Sequence, residues 1–298
     1  MHILLTGGTG LIGTALSGAL TSRDHRITVL TRKHRVSLGD GYRFVTKLSQ
    51  CTDKVDIVIN LAGAGLADKR WTRRYKREIF RSRVDLTAEL VAWMRAQASP
   101  PARLLSASAI GYYGASDGVP FDETAPSGEG FAAELCERWE EVAYSAEQAG
   151  IGVAAMRLGV VLAKEGGALG KMTQSFHFGL ETWLGSGHQW LSWIHIQDVV
   201  NAIEFIIHTQ SDTRTYNVVA PNPVQHRAFA SEVGQCFNTR IKLGVPDIAA
   251  RLLAGEMAGE LLLSGQRVLP AALMDNGFEF AYPCLSDALA ALFRQRAR

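Results

Sequence analysis

The chain has 298 residues, of which 47% are hydrophobic and 20% charged, and a formal net charge of +2. This is an ordinary globular composition with ample material for a core. The near-neutral balance speaks against general nucleic-acid or membrane binding, and no apolar run approaches membrane-spanning length. Four scattered cysteines, Cys51, Cys136, Cys236 and Cys284, form no C-x-x-C pair. Neither a zinc site nor a disulfide framework is indicated, and reduced thiols in a cytoplasmic protein are expected. The first residues do not read as a secretion signal, because Met1 leads directly into an apolar strand with no basic leader.

Residues 2–5 are a short apolar run, followed by Gly7, Gly8, Gly10 and Gly13 in TGGTGLIG. Strand, glycine turn and amphipathic helix in that order predict a dinucleotide site. Glycine permits positive φ and close approach to a pyrophosphate, and the helix N-terminus offers its free N–H groups. Gly7, Gly10, Leu11, Ile12 and Gly13 are therefore candidate cofactor-binding residues. Residues 26–31 (RITVLT) form the second strand, whose end meets the adenosine ribose. An acid there favours NAD, whereas a base neutralises a 2′-phosphate. The chain has Thr31, Arg32 and Lys33, with no acid until Asp40. The forked Arg32 guanidinium points to NADP(H), although such bases also occur on solvated loops.

Residues 54–61 (KVDIVINL) are a near-continuous apolar strand of the buried parallel kind, ending in Leu61, Ala62 and Gly63, where a cofactor can lie across the sheet edge. The basic stretch 68–77 (DKRWTRRYKR) is read as a helix start with a solvated face rather than a nucleic-acid site. The helix runs on through Met94 and stops at Pro100-Pro101. A strand at 103–106 leads into Ser106, Ser108, Tyr112 and Tyr113, hydroxyls well placed to touch a substrate or nicotinamide. Residues 131–149 are helical, with Leu135, Trp139 and Val142 on one face; Trp139 and Cys136 are expected in the core. Residues 151–158 form another strand. Regular alternation predicts an α/β doubly wound parallel sheet.

The character changes after Ala163. The division expected is a Rossmann domain over 1–163, completed by segments near 193–220, and a smaller, mostly helical unit over 164–298. In the segment 193–200 (WIHIQDVV) an extended piece enters a helix that Asp198 caps or begins. His195 is a candidate general base or a structural histidine. Residues 216–219 are a short strand. Residues 268–270 and 277–280 have the look of a closing strand pair.

Taken in order, TGGTGLIG, NLAG, SAIGYYG, RLGVVL and WIHIQDVV resemble the extended short-chain dehydrogenase/reductases, the superfamily of nucleotide-sugar epimerases. ADKRW (67–71), SR (82–83), GYYG (111–114), CERWEE (136–141), GSGHQW (185–190), WIHIQD (193–198) and SGQRVLP (264–270) resemble more narrowly the atypical epimerase family of the bacterial YfcH type, over nearly the whole chain. The resemblance implies NADP(H) on Gly7, Gly10 and Gly13, with Thr31 and Arg32 at the adenosine phosphate and Leu61 and Ala62 lining the cofactor. It also implies contacts from Glu78, Arg83 and Val161. The superfamily's proton-transfer pair is Tyr-x-x-x-Lys with a nearby serine, the lysine lowering the tyrosine pKa. No tyrosine here has lysine four residues on; Phe131 and Leu135 stand in those places, while Ser108 resembles the serine.

Two functions follow. One is an NADP-dependent oxidoreductase or epimerase that acts on a small molecule such as a nucleotide sugar, with Ser108, Tyr112, Tyr113 or His195 as substitute catalytic groups. The other is an NADP(H)-binding redox sensor or regulatory partner without turnover. No metal site, nucleic-acid partner or membrane contact is expected, and the oligomeric state is open.

Overall fold

The structure is a computed structural model that describes residues 1–32, 41–115 and 118–293. Its centre is a seven-stranded sheet. The strands are β1 (His2–Thr6), β2 (Arg26–Leu30), β3 (Tyr42–Val45), β4 (Ile57–Asn60), β5 (Arg103–Ala109), β6 (Gly152–Leu158) and β7 (Thr215–Val218). They lie in the order β7-β6-β5-β4-β1-β2-β3, and every neighbouring pair is parallel. The chain winds one way from β1 to β3 and the other way from β4, so the order reverses between β1 and β4. That switch point leaves a crevice at the carboxyl ends of the strands.

The helices that cover the sheet include α1 (Leu11–Thr21), α2 (Arg73–Phe80), α3 (Leu86–Arg95), α4 (Phe131–Tyr144) and α5 (Ile196–His208). Ile3 and Leu5 of β1 pack on one face with Leu16 and Leu20 of α1 and Ile203 and Ile206 of α5. Leu4, Val58 and Leu104 pack on the other with Leu90 and Met94 of α3 and Ala143 of α4. Burial on both faces is why these strands read as unbroken apolar runs.

β3 has no such signature. It is an edge strand in which Tyr42, Arg43 and Phe44 are half-buried and only Val45 is buried. An edge strand needs less apolar sequence, and the pattern predicts none here. The helix expected through Met94 is interrupted by a π-helical turn, Arg81–Asp85, between α2 and α3. The strand at 103 runs on to Ala109, further than its sequence suggests.

The carboxyl-terminal part adds short two-stranded pairs. Val160–Leu162 joins Trp193–His195, and Leu180–Leu184 joins Ile241–Val245. The expected partnership of 268–270 with 277–280 is not made. Arg267–Val268 pairs instead with Pro120–Phe121. Gly277, at φ 86°, turns the following residues onto α5, where Phe278 meets Phe205 at 5.4 Å and Phe280 at 4.8 Å. Asp198 begins α5 but does not cap it. Its carboxylate is fully buried and accepts the N–H groups of Ala281 (2.8 Å) and Tyr282 (2.9 Å), which pins the returning chain.

The cap belongs to His195, whose Nδ1 accepts the Gln197 N–H at 3.1 Å. Burial pushes the His195 pKa from 6.5 down to about 4. The unfolded chain takes up that proton more readily, so His195 contributes stability above pH 6.5 that is lost as the pH falls toward 4. His195→Asn replaces the Nδ1 acceptor with a capping oxygen and removes the titration. Urea midpoints at about pH 7 and about pH 5 are expected to differ less in the variant than in the parent chain; an equal difference would show that His195 plays no part.

Candidate functional site

The site begins at the turn after β1. Gly7 has φ 68°, and a Cβ there would sit 2.6 Å from the backbone of Leu61. The turn after β1 is thus pressed against the segment after β4 across the switch point. Gly13 lies in the first turn of α1, where a Cβ would lie 2.2 Å from the Gly7 carbonyl oxygen. The Gly10 N–H donates to that oxygen at 2.9 Å, and Gly10 is the N-cap of α1 without a side-chain cap. The amides of Leu11, Ile12 and Gly13 have no carbonyl one turn back within the helix, so this end of α1 presents free donors and the positive end of its dipole. That is a phosphate cradle.

A cavity of about 1040 Å³ opens beside the turn. It brings together Gly7, Gly10, Thr31, Arg32, Leu61, Ala62 and Gly63 from the sequence reading. Lys33 lies outside the described residues. Leu11, Ile12 and Gly13 flank the cavity through α1 without lining it. Val161 lies past them: the Leu11 side chain and the Val161 carbonyl both approach Gly167. Glu78 is exposed, pairs with Lys69 at 3.6 Å and does not line the cavity.

Sequence reasoning missed the other wall. Thr46, Lys47, Leu48 and Ser49 follow the unread strand β3, and Arg81, Ser82 and Asp85 come from the π-helical turn. Such turns are frequent at functional sites, and nothing in the residue pattern announces one.

A buried hydrogen-bond ladder sets the floor. Thr6 Oγ1 donates to Asn60 Oδ1 (2.7 Å) and accepts the Ala62 N–H (3.2 Å). Asn60 Nδ2 donates to Thr87 Oγ1 (2.8 Å), which also accepts from Trp139 Nε1 (2.9 Å). These bonds tie the ends of β1 and β4 to α3 and α4. Trp139 is core, as the sequence suggests.

Arg83 is the most telling cation in this region. It is half-buried, and a Cβ at Gly63 would lie 2.8 Å from its Cζ. Its hydrogen bonds are long, 3.4 Å to the Ile79 carbonyl and 3.5 Å to Ser82 Oγ. The guanidinium lies 5.3 Å over the Trp139 ring. Among the described residues it makes no ion pair. Desolvation lowers its pKa, though a guanidinium stays charged. A cation left without a carboxylate beside a glycine-lined crevice is suited to an anionic ligand.

The catalytic candidates have a different setting. Ser108 Oγ donates to Glu140 Oε1 at 2.6 Å, and Arg157 holds both Glu140 oxygens, Nε to Oε1 at 2.9 Å and Nη2 to Oε2 at 2.8 Å. Arg157 Nη1 donates to the Tyr113 hydroxyl at 2.9 Å, which donates to Asn217 Oδ1 at 2.7 Å. All five residues are at most 5% exposed. Burial pushes the Tyr113 pKa to about 12 despite the nearby guanidinium. Burial works against the charge on Arg157, yet Glu140 raises its pKa above the ordinary value. Ser108 and Tyr113 thus spend their hydrogen bonds on this network.

Tyr112 is half-buried, with the Arg157 guanidinium 3.4 Å from its ring centroid. His195 is 6% exposed, serves as a cap and packs at 3.9 Å on Tyr282. Cys136 is buried, and burial pushes its thiol up to about 11, which is the setting of a core thiol. Phe131 packs edge-on against Trp71 at 5.0 Å, with Lys76 Nζ 4.6 Å over its ring. Leu135 is core beside Trp71 and Tyr75. Phe131 and Leu135, the residues read in the places of a Tyr-x-x-x-Lys pair, are thus held by packing.

Comparison with known proteins follows the same geometry. Residues 3–219 match the model of the NAD dependent epimerase/dehydratase family, and residues 245–292 match a domain of unknown function, DUF1731. The chain is 38% identical over 306 residues to the chloroplastic epimerase family protein SDR39U1 homolog of Arabidopsis thaliana, across 99% of this chain and 87% of that one. It is 36% identical over 291 residues to an epimerase family protein of Mycobacterium leprae, across 97% and 94%. The crystal structure of human epimerase family protein SDR39U1 (isoform 2) with NADPH superposes with a TM-score of 0.88 at 30% identity, covering 98% of this chain and 99% of that one. UDP-glucuronic acid 4-epimerase of Bacillus cereus, solved with UDP-glucuronic acid and NAD, shares the fold with a TM-score of 0.79 at 16% identity, covering 98% of each chain.

Proposed function

This chain belongs to the NAD dependent epimerase/dehydratase family, and from that premise we propose that it binds NADP(H) in the crevice between β1 and β4. Gly7, Gly10 and the α1 amides would hold the pyrophosphate. Thr31 and Arg32 would take the adenosine 2′-phosphate, and Leu61, Ala62, Gly63 and Arg83 would line the remaining length. The glycine cradle supports this fit, since a Cβ at Gly7 or Gly13 would strike backbone atoms and break the tight turn that presents the α1 amides. The absence of an acid at the end of β2 supports the phosphorylated cofactor. NADPH in the human relative supports it further. When bound, the nicotinamide supplies hydride donation or acceptance.

The observation that carries the reading is the Arg83 guanidinium, which faces Gly63 with no carboxylate partner among the described residues. Arg83→Met removes an uncompensated charge, so the fold should tolerate it. Its dissociation constant for NADPH is expected to rise about tenfold, and that for NADH by the same factor, since Arg83 lies away from the 2′-phosphate end. Unchanged affinity for both, read by nicotinamide fluorescence, would remove Arg83 from the site.

On the substrate side, the reading is an oxidoreductase or epimerase acting on a small molecule, in which Tyr112 replaces the missing tyrosine. The Arg157 guanidinium against its ring supports it, because that stacking fixes the orientation of the ring. The Bacillus cereus enzyme of the same fold holds UDP-glucuronic acid, so nucleotide sugars head the panel to be screened. A second reading, cofactor binding without turnover, is favoured by the closure of Ser108 and Tyr113 into the Glu140–Arg157 network. Change in NADPH fluorescence or sugar configuration on the panel decides for the first, and none across nucleotide sugars, free sugars and carbonyl compounds decides for the second.

A further inference from the structure

The adenosine end of the cavity holds a second cation. β2 and β3 run in parallel register, with Leu30 opposite Val45, and the Thr31 N–H donates to the Val45 carbonyl at 2.9 Å. Past that bond, residues 31–32 and 46–47 both line the cavity. Arg32 and Lys47 follow at the same remove from that register pair, on strands whose spacing is about 4.8 Å. Both residues line the cavity, and both are exposed.

The Lys47 backbone is fixed. Gln50 Oε1 accepts the N–H groups of Thr46 (2.8 Å) and Lys47 (3.1 Å), and the Gln50 N–H donates to the Lys47 carbonyl at 3.1 Å. The Lys47 ammonium has no ion-pair partner among the described residues, and neither has Arg32. The contrast lies on the same two strands. At their other ends Arg26 and Arg43 share Asp53, at 3.7 Å and 3.9 Å. The acids that line the cavity stand on the opposite wall, where Asp85 pairs with Arg81 at 3.8 Å. Two neighbouring cations repel each other when nothing lies between them, and a phosphate dianion reverses the sign of that interaction.

We infer that Lys47 is a second holder of the adenosine 2′-phosphate beside Arg32, and so a residue that sets the choice of NADP(H) over NAD(H). The inference rests on the NADP(H) reading above. Lysine meets a phosphate as a point charge, whereas Arg32 meets it as a fork, so the pair grips two faces of one group.

The test compares the full chain, Lys47→Gln and Arg32→Gln, each titrated with NADPH and with NADH at low and at moderate salt. Lys47→Gln is expected to weaken NADPH roughly tenfold, leave NADH within about twofold, and reduce the salt dependence of NADPH binding. Unchanged NADPH affinity in Lys47→Gln, with Arg32→Gln weakened and the parent preferring NADPH, overturns the role of Lys47 and leaves the cofactor reading standing. Equal losses for both cofactors also overturn it, because the residue then acts on something other than the phosphate. A parent chain that binds NADH as tightly as NADPH overturns both.

Discussion

Gly13→Ala is expected to abolish cofactor binding, with the NADPH dissociation constant rising by about 100-fold or more. The added Cβ would stand 2.2 Å from the Gly7 carbonyl oxygen and 2.5 Å from the Gly8 Cα. Those are backbone atoms of the cradle itself, so no side chain can swing aside to relieve the clash. The turn or the start of α1 must move, and the free N–H groups move with it. Helix propensity pulls the other way, since alanine within a helix is favoured over glycine by about 1 kcal/mol. A loss of binding therefore reports the close approach. Gly18→Ala in the same helix is the control: its Cβ would meet nothing within 4 Å. It is expected to bind NADPH as the parent does and to melt at the same or a higher temperature. Fluorescence titration of the two variants checks both statements. Parent-like affinity in Gly13→Ala would show that the phosphates do not lie on this turn.

Glu140→Ala is expected to be the most destabilising of these substitutions. Glu140 and Arg157 are each 5% exposed at the side chain, and the carboxylate receives two bonds from the guanidinium and one from Ser108. Removing the acid leaves a buried cation and the Ser108 hydroxyl without their acceptor. Breaking one partner of a buried pair typically costs about 3–5 kcal/mol. In a chain of this size that lowers the melting temperature by roughly 5–8 °C. The pair need not be net stabilising in itself, because apolar replacement of both partners is often neutral or better. Glu140→Leu combined with Arg157→Met is therefore expected to recover a large part of the loss. Thermal or urea unfolding of the single and double variants tests this. A single variant within about 1 kcal/mol of the parent would mean that the network carries little.

The residues that were legible in the sequence are those whose signal is local. The β1 strand, its glycine turn and α1 form one continuous pattern. β4 (Ile57–Asn60) lies within the run read as a strand at 54–61, and that run stands out because both faces are buried. β3 was illegible for the opposite reason: only Val45 is buried there, and with the strand the Thr46–Ser49 wall of the cavity was lost. Arg83 came into view only through family resemblance, since its significance lies in a neighbour, Gly63, brought close by folding. The same holds for Ser108 and Tyr113. Hydroxyls at the end of a central strand look reactive until their partners are known, and those partners, Glu140 and Asn217, lie 32 and 104 residues away. Asp198 likewise reads as a cap in isolation, and its acceptor role toward Ala281 and Tyr282 depends on a chain that returns 83 and 84 residues later.

The Tyr-x-x-x-Lys pair is a different case, because its absence is local information and its replacement is not. Phe131 and Leu135 are plain in the sequence. That Phe131 settles against Trp71 under the Lys76 ammonium, with its N–H held by Glu260 at 3.1 Å, required the fold. The start of α4 is thereby fixed by packing and a carboxylate cap from a distant segment.

The central claim is that the cavity beside the glycine turn selects the phosphorylated dinucleotide. Its most direct test is an equilibrium titration of the full chain with NADPH and with NADH under identical low-salt conditions. The account predicts saturable binding of one cofactor per chain, with NADPH held at least about tenfold more tightly than NADH, a difference of about 1.4 kcal/mol. Equal affinities, or no saturable binding of either cofactor, would contradict it.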